Sequence, residues 1–166
     1  MIYARHYNSP VGKIYLTADD ENLTLLSIKG QRGYEENLPR DCCDGKSSRV
    51  LQKVCRWLDE YFAGRNPVID FPLKASGTIF QHKVWAILRQ IPYGTTITYG
   101  DIVQKITPRG GKMSAQAVGG AVGHNPIAII VPCHRVMGAN GKLTGYDGGI
   151  DIKIKLLELE HTLASK

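Results

Sequence analysis

The stretch that organises the rest of the chain is NPIAIIVPCHRV, residues 125–136. Its apolar residues 127–131 lie between two prolines, and this pattern predicts a short buried strand. Cys133, His134 and Arg135 follow where the apolar run ends. An imidazole and a guanidinium beside a thiol create a positive potential, which favours the nucleophilic thiolate. From these residue types alone, a reactive thiol and a small buried structural cysteine both remain open.

The composition allows one ordinary domain or two small ones, since the chain has 166 residues. A hydrophobic fraction of 43% is enough for a packed core. Lys and Arg outnumber Asp and Glu by 21 to 15, which gives a net charge of +6. This excess indicates a polyanionic partner, with nucleic acid as the first candidate.

The four cysteines do not fit a disulfide framework. Cys42 and Cys43 are adjacent, Cys55 falls inside a helical pattern, and no charged-then-apolar signal segment opens the sequence. Adjacent cysteines cannot jointly hold a metal ion in the usual geometry, so we predict no metal site. No apolar run approaches the roughly 20 residues that span a bilayer. We therefore expect no membrane association and a cytoplasmic location, where Cys133 stays a free thiol.

Alternating apolar residues over 2–7, 13–17 and 23–28, separated by short turns, predict an antiparallel meander. Residues 30–46 have no periodicity and are expected to form a long loop. A helix is predicted from Ser47 to Gly64, with Cys55 on its buried face. The composition changes again over 66–72, which we take as a linker between domains 1–72 and 76–166. This first half carries no recognisable chemistry and predicts a small α+β scaffold.

The second half is predicted to be mainly helical. Helices are expected from Thr78 to Ile91, from Tyr99 to about residue 106, from 114 to about 123, and from 151 to 163. The second and third of these, joined across a glycine-containing turn, indicate a helix-turn-helix with a long turn. The last helix is expected to bury four residues: Ile152, Leu156, Leu159 and Leu163.

The helix predicted over 114–123 is nearly bare of large side chains. A helix that reads bases in the major groove normally carries Arg, Asn or Gln for that purpose. Here Gln116 is the one long polar residue. Two interpretations remain: tight packing of this helix against another one, or close approach of its backbone to a minor groove.

Several cysteine chemistries can be tested against the spacing around Cys133. A zinc nucleoside deaminase and a thioredoxin-like centre both require a second cysteine three residues on, where Val136 stands. A cysteine hydrolase with a Cys–His pair remains open. However, adjacent residues in an extended stretch point to opposite faces, so His134 would need a water or a turn to reach the sulfur.

The motif Pro132-Cys133-His134-Arg135-Val136, preceded by QAVGGA at 116–121 and Asn125-Pro126, resembles the O6-alkylguanine-DNA alkyltransferases. These are also called methylated-DNA–protein-cysteine methyltransferases. The resemblance is close over roughly the last ninety residues. It implies an α+β fold: an RNase H-like N-terminal domain with antiparallel strands, and a mainly helical C-terminal domain with a winged-helix/helix-turn-helix motif.

The resemblance also implies roles for site residues. Cys133 would accept the alkyl group as a thiolate, by in-line displacement from the guanine O6. His134 would act as the base through a bridging water, with Glu160 orienting the imidazole. Tyr99 would hydrogen-bond the leaving guanine, and Asn125 would brace the turn that carries the cysteine.

Substrate and DNA contacts follow from the same resemblance. The carbonyls of Cys133 and Val136 would bind the exocyclic amine, Tyr146 would form a pocket wall, and the amide of Asp147 would reach O6. The target nucleotide would be flipped out of the duplex. The helix at 114–123 would lie in the minor groove, with DNA contacts from Gln116, Ser114, Ala115, Ala117, Gly119 and Arg135.

The function so implied is direct repair of O6-alkylguanine, and less so O4-alkylthymine, in double-stranded DNA by a monomer that needs no cofactor. Transfer would be irreversible and stoichiometric. The alternative is an alkyltransferase-like protein that binds the lesion without transferring anything, although that class normally lacks the cysteine. Many members have Arg at the position of Gln116, so we expect weaker DNA binding here. Asp147 stands where some members have Ser, but its predicted contact is a backbone one.

Overall fold

The computed structural model describes residues 1–31, 42–111, 113–143 and 149–161. The chain divides into two compact units, Met1–Ser76 and Gly77–Lys166. The first unit contains the larger sheet, and the second contains most of the helices. The predicted α+β class is therefore confirmed. Among the described residues, no helix is long and apolar enough to cross a membrane.

The first unit contains a four-stranded sheet of β1 (Tyr3–Ser9), β2 (Gly12–Ala18), β3 (Leu23–Ile28) and β4 (Cys43–Asp44). The strand order is β3-β2-β1-β4. β1, β2 and β3 pair antiparallel as predicted, whereas β4 runs parallel to β1. The prediction of a loop throughout 30–46 is thus wrong at β4, because a two-residue strand has no periodicity of its own. Residues 32–41 of that predicted loop lie outside the described residues.

Helix α1 (Arg49–Phe62) covers the sheet and contacts β1, β2 and β3. It begins where predicted, because the Ser48 hydroxyl accepts a hydrogen bond from the Leu51 N–H at 3.2 Å. Cys55 is only 8% exposed, which confirms its packing role. Full burial of an apolar side chain stabilises a fold by about 1.5–3 kcal/mol. The buried face of α1 is Val50, Leu51, Val54, Cys55, Trp57, Leu58 and Tyr61.

The segment after α1 stays attached to the first unit. The Leu23 N–H donates to the Pro72 carbonyl at 2.9 Å, and the Lys74 N–H donates to the Leu23 carbonyl at 2.8 Å. The Trp57 indole N–H also donates to the Pro67 carbonyl at 3.1 Å. The stretch predicted as a linker is therefore anchored to β3 and α1 by hydrogen bonds.

The second unit contains four α-helices and a two-stranded parallel sheet. The helices are α2 (Ile79–Arg89), α3 (Tyr99–Ile106), α4 (Ala115–Gly123) and α5 (Ile150–Leu159), and the strands are β5 (Ile97–Thr98) and β6 (Val136–Met137). Side chains of Thr78, Thr98 and Ser114 cap the first three of these helices. α2, α3 and α4 pack against one another, which gives the expected helix-turn-helix.

Trp85 fastens α2 to α4. Its indole N–H donates to the Ala121 carbonyl at 2.8 Å, and the side chain is 4% exposed. A Cβ atom on Gly77 would lie 2.4 Å from the Trp85 ring. Only glycine leaves room for the indole at this point.

Candidate active site around Cys133

The apolar run 127–131 is buried but does not form a strand. Ile127 forms an isolated β-bridge, residues 128–130 form a turn and Val131 lies in a bend, so the strand prediction is wrong. The Asn125 side chain forms hydrogen bonds with the backbone of this run. Its Oδ1 accepts from the Ile127 N–H at 3.0 Å, and its Nδ2 donates to the Val131 carbonyl at 2.8 Å. The Val131 N–H also donates to the Ile127 carbonyl at 3.1 Å. Asn125 thus occupies the bracing position predicted for it.

Two tight turns lead into Cys133. Ile129 has a φ of 69°, and the Ile130 N–H donates to the Ala128 carbonyl at 2.8 Å. A β-branched residue with positive φ is strained by about 1–3 kcal/mol. The second turn is centred on Pro132, and its hydrogen bond runs from the Cys133 N–H to the Val131 carbonyl at 2.8 Å. Such strain persists only where the surrounding structure stabilises it, and here the strained residue lies in the turns that directly precede Cys133.

Cys133 begins a short 3₁₀ turn, Cys133–Arg135, and is 6% exposed. The next residue, His134, is completely buried and directs its Nε2 at Glu160 Oε2, 2.7 Å away. Glu160 itself is 1% exposed. The structure therefore brings together the imidazole and the carboxylate that the family resemblance pairs.

Arg135 is the predicted DNA contact that the structure places elsewhere. Its Nε donates to Glu160 Oε1 at 2.7 Å and its Nη2 to Glu160 Oε2 at 3.1 Å. Its Nη1 donates to the Ile91 carbonyl at 2.8 Å, and its Cζ lies 5.7 Å from the centre of the Tyr93 ring. The side chain is 11% exposed. Because the guanidinium is committed inside the protein, the prediction that Arg135 binds DNA is wrong.

The electrostatics of this cluster favour a neutral imidazole beside a carboxylate. Burial lowers the pKa of His134, and the charges of Arg135 and Lys153 act in the same direction against the opposing effect of Glu160. Burial alone would raise the pKa of Glu160, but its bonds and charge interactions with His134 and Arg135 lower it to about 2. The Nδ1 atom of His134 is buried without a hydrogen-bond partner among the described residues. A neutral imidazole bonded through Nε2–H leaves this Nδ1 as a proton acceptor.

Lys153 is a site residue that the sequence reasoning missed. It is 1% exposed, and its Nζ donates to the Val136 carbonyl at 2.6 Å. Burial lowers its pKa, while interaction with Cys133 acts in the opposite direction. A lysine that faces the cysteine favours the thiolate whenever it is protonated. The Val136 carbonyl oxygen keeps a second lone pair, which can accept the predicted hydrogen bond from the exocyclic amine of guanine.

The buried face of α5 explains why Lys153 was overlooked. Helix spacing of three and four residues joins Lys153, Leu156, Leu157 and Glu160, all of which are buried. The predicted face ran through Ile152 and Leu159 instead, and both of these are only half-buried. Including charged residues in the search for helical periodicity would have found the correct face. The predicted fourth member, Leu163, lies outside the described residues.

Tyr99 directly follows β5, which pairs with β6 just after the 3₁₀ turn of Cys133. The parallel pairs Ile97↔Val136 and Thr98↔Met137 hold the start of α3 beside the chain that leaves Cys133. A cavity of about 560 Å³ opens at Tyr99. Its walls are largely apolar and come from Thr98, Tyr99, Gly100, Ala115, Gln116, Gly119 and Ala139.

The glycines of α4 do not serve packing inside the protein. A Cβ atom on Gly120 or Gly123 would meet no described atom within 4 Å, and one on Gly119 would meet only the Tyr99 ring, at 3.9 Å. The buried residues of α4 are Val118, Ala121 and Val122, on the opposite side. This favours the second interpretation of the bare helix, an approach by an external surface. The exposed residues include the predicted DNA contacts Ser114, Ala115, Gln116 and Ala117.

Two predicted pocket residues, Tyr146 and Asp147, lie outside the described residues. Over the part of the chain that the structure describes, no group of three or more His, Cys, Asp or Glu side chains is arranged to hold a metal ion.

Comparisons with known proteins cover both halves of the chain. Residues 2–75 match the family model "6-O-methylguanine DNA methyltransferase, ribonuclease-like domain". Residues 79–162 match "6-O-methylguanine DNA methyltransferase, DNA binding domain". These matches agree with the RNase H-like and helix-turn-helix parts of the expected fold.

Individual relatives agree with the family models. A methylated-DNA–protein-cysteine methyltransferase of Methanosarcina acetivorans is 45% identical over 160 residues, covering 96% of this chain and 98% of the relative. One from Mycobacterium bovis is 47% identical over 165 residues, covering 99% of this chain and 95% of the relative. A crystal structure of Mycobacterium tuberculosis OGT in complex with DNA superposes with a TM-score of 0.82 at 44% identity, over 95% of this chain and 92% of that one. The chain therefore belongs to the 6-O-methylguanine DNA methyltransferase family.

Proposed function

We propose that this protein repairs double-stranded DNA by moving the alkyl group of O6-alkylguanine, and less readily of O4-alkylthymine, irreversibly to Cys133. The observation that carries the proposal is the position of Cys133. It follows a turn braced by Asn125 and precedes a buried His134 whose Nε2 is held by Glu160 at 2.7 Å. The names of the relatives, and the DNA complex of one of them, support the same activity.

The chemistry assigns one task to each residue. His134 Nδ1 takes the thiol proton through a bridging water, and the Cys133 thiolate attacks the alkyl carbon in line with the C–O6 bond. An S–C bond forms as the C–O bond breaks, and its electron pair leaves with the guanine. Tyr99 hydrogen-bonds the departing base, which overall takes up the proton lost by the thiol. The lesion supplies the transferred group, so no cofactor is required.

The reaction is stoichiometric, because a thioether does not exchange with other thiols as a disulfide does. Each polypeptide therefore acts once. Cys42, Cys43, Cys55 and Cys133 are not joined in disulfides, which fits a reducing compartment. We infer a cytoplasmic location and a monomeric protein.

The substrate base has to leave the duplex before reaction, since its O6 is inaccessible to a protein thiol inside the stack. The exposed, bare face of α4 fits a minor groove, and Gln116 would fill the gap left by the flipped nucleotide. The cavity at Tyr99 lies between this face and the start of α3, where an extruded base would arrive. Pocket contacts from the Cys133 and Val136 carbonyls, and from Tyr146 and Asp147, complete the proposal.

We infer that residues 76–166 hold all of this machinery and that residues 1–72 act as a scaffold. The site residues come from the second unit, whose elements include α2 to α5. None of the residues assigned a role lies in the first 72.

Intact-protein mass spectrometry after incubation with a duplex that contains O6-methylguanine tests the proposal. A gain of one methyl group, absent in Cys133→Ala, supports transfer. An unchanged mass with tight and selective binding of the lesion duplex would replace it with the alkyltransferase-like alternative.

A further inference from the structure

Arg135 is the most completely bonded side chain near the proposed base. Three of its nitrogens donate hydrogen bonds, two of them to the same carboxylate, at 2.7 and 3.1 Å. This paired arrangement is the strongest geometry available to an arginine and a carboxylate. The third bond, to the Ile91 carbonyl at 2.8 Å, fixes the guanidinium from the other side. Glu160 is therefore held by Arg135 independently of His134.

A carboxylate held in this way decides which nitrogen of His134 carries the proton. An ionised carboxylate can only accept hydrogen bonds. Because Glu160 Oε2 lies 2.7 Å from His134 Nε2, the Nε2 atom must carry hydrogen. In a neutral imidazole the other nitrogen, Nδ1, is then an acceptor, and this is the buried atom without a partner among the described residues.

Burial is the main reason that the imidazole of His134 is neutral, and the charge of Arg135 acts in the same direction. A buried carboxylate alone would pair with an imidazolium and keep it protonated. With Arg135 present, Glu160 already has a cationic partner, and a second cation beside it is disfavoured. Lys153 adds to this effect. Burial lowers the pKa of Lys153 itself, and its interaction with Cys133 acts in the opposite direction. Tyr93, which stacks on Arg135, interacts with Glu160 and Arg135 and stays uncharged, since burial raises its pKa above the usual range.

We propose that Arg135 is a positioning residue for alkyl transfer: it holds Glu160 as a carboxylate and, together with the burial of the site, keeps His134 neutral, with its proton on Nε2 and its Nδ1 available to act as the base. The inference rests on the proposed function for its consequence in repair. The predicted state of His134, however, is a property of the free protein and can be measured without DNA.

Nitrogen-15 NMR of the histidine side chains in the wild-type protein tests the state directly. The signal of His134, assigned by its loss in His134→Gln, is expected to be that of a neutral ring protonated on Nε2 at pH 7. An imidazolium signal at that pH, or a neutral ring protonated on Nδ1, would overturn the inference. Neither result depends on whether the protein transfers alkyl groups.

The pH dependence of the transfer rate tests the role of Arg135 in the reaction. Removal of the cation in Arg135→Met should stabilise the imidazolium form of His134 beside Glu160 and move the acid limb of the profile to higher pH by about one unit. Arg135→Lys keeps a charge near Glu160, so its limb should stay near that of the wild type.

A structural role alone would lower the rate of Arg135→Met by the same factor at every pH, and that outcome would overturn the proposal. If Arg135→Met fails to fold, Arg135→Lys and the wild-type NMR signal decide instead. Because lysine keeps the positive charge, an acid limb of Arg135→Lys that moves to higher pH would count against the proposal. A wild-type protein that transfers nothing at any pH would instead refute the proposed function.

Discussion

Glu160 Oε2 lies 2.7 Å from His134 Nε2, although 26 residues separate them in sequence. Glu160 is the residue that ends α5, and His134 lies in the 3₁₀ turn that begins at Cys133. Both side chains have no exposure to solvent. The contact therefore joins the packing of α5 to the chemistry proposed for Cys133, and changes at Glu160 should affect both.

Replacement of Glu160 by Gln tests this joint role. The change leaves the Arg135 guanidinium buried without its counter-charge, which should lower the free energy of unfolding by about 3 kcal/mol. The rate of alkyl transfer should fall by about two to four orders of magnitude, because His134 loses the partner that orients it. Urea unfolding and single-turnover kinetics measure the two effects.

Glu158→Gln is the matched control for that variant, since Glu158 lies on the same helix and is only half-buried. It should leave stability and rate nearly unchanged. If both variants behave alike, the charge at Glu160 has no special role.

The pH dependence of stability should carry the signature of His134. Burial lowers its folded-state pKa below the ordinary 6.5. Below pH 6.5 the unfolded chain therefore binds a proton that the folded protein does not. As the pH decreases, this group lowers the free energy of unfolding by at most about 1.4 kcal/mol per pH unit. Glu160 causes a second loss of stability as the pH falls from 4.5, the ordinary pKa of this carboxyl group, to about 2, its pKa in the folded protein. Urea midpoints of His134→Gln should be flatter than those of the wild type between about pH 6.5 and 4.5. Parallel curves would show that His134 titrates alike in both states.

The sequence could predict elements whose signals are local. The meander of β1 to β3 alternates with period two, and α1 to α4 begin at side chains that cap helices. β4 could not be predicted in this way, because it exists only through its pairing with β1. The family resemblance pairs His134 with Glu160, and the structure places their side chains 2.7 Å apart.

The failures have identifiable physical causes. An apolar run shows that 127–131 is buried, but it cannot show whether the backbone is satisfied by a strand or, as here, by the Asn125 side chain. The family resemblance implies a DNA contact for Arg135, but the sequence around it does not show that its side chain is buried. Its burial depends on Glu160 and Ile91, which are distant in sequence.

Gln116 offers a test of the proposed DNA face. Gln116→Arg should bind duplex DNA more tightly, since arginine fills more of the gap left by a flipped base and adds a charge that attracts phosphate. Fluorescence anisotropy at fixed salt measures the change. Gln90→Arg adds the same charge at the exposed C-cap of α2 and serves as the control. A Gln116→Arg variant that binds no tighter than this control would argue against Gln116 as the inserted side chain.

A large side chain added to the bare surface of α4 should not disturb folding but should weaken DNA binding. A side chain on Gly120 would meet no described atom within 4 Å, so Gly120→Leu should raise the free energy of unfolding by up to about 1 kcal/mol. The same side chain would prevent the backbone of α4 from approaching the minor groove closely. DNA binding should therefore weaken at least tenfold, or by about 1.4 kcal/mol. Ala86→Leu, on the exposed side of α2, should change neither property. Unaltered binding by Gly120→Leu would place the DNA on another surface.

The central claim is that Cys133 is the alkyl acceptor and acts once. The most direct measurement is a titration of the protein with a duplex that contains O6-methylguanine, followed by peptide mass spectrometry of all four cysteines. We predict that methylation stops at one group per chain, with the methyl group on Cys133 and none on Cys42, Cys43 or Cys55. A methyl group on another residue, more than one group transferred per chain, or unmodified Cys133 beside repaired DNA would contradict the account.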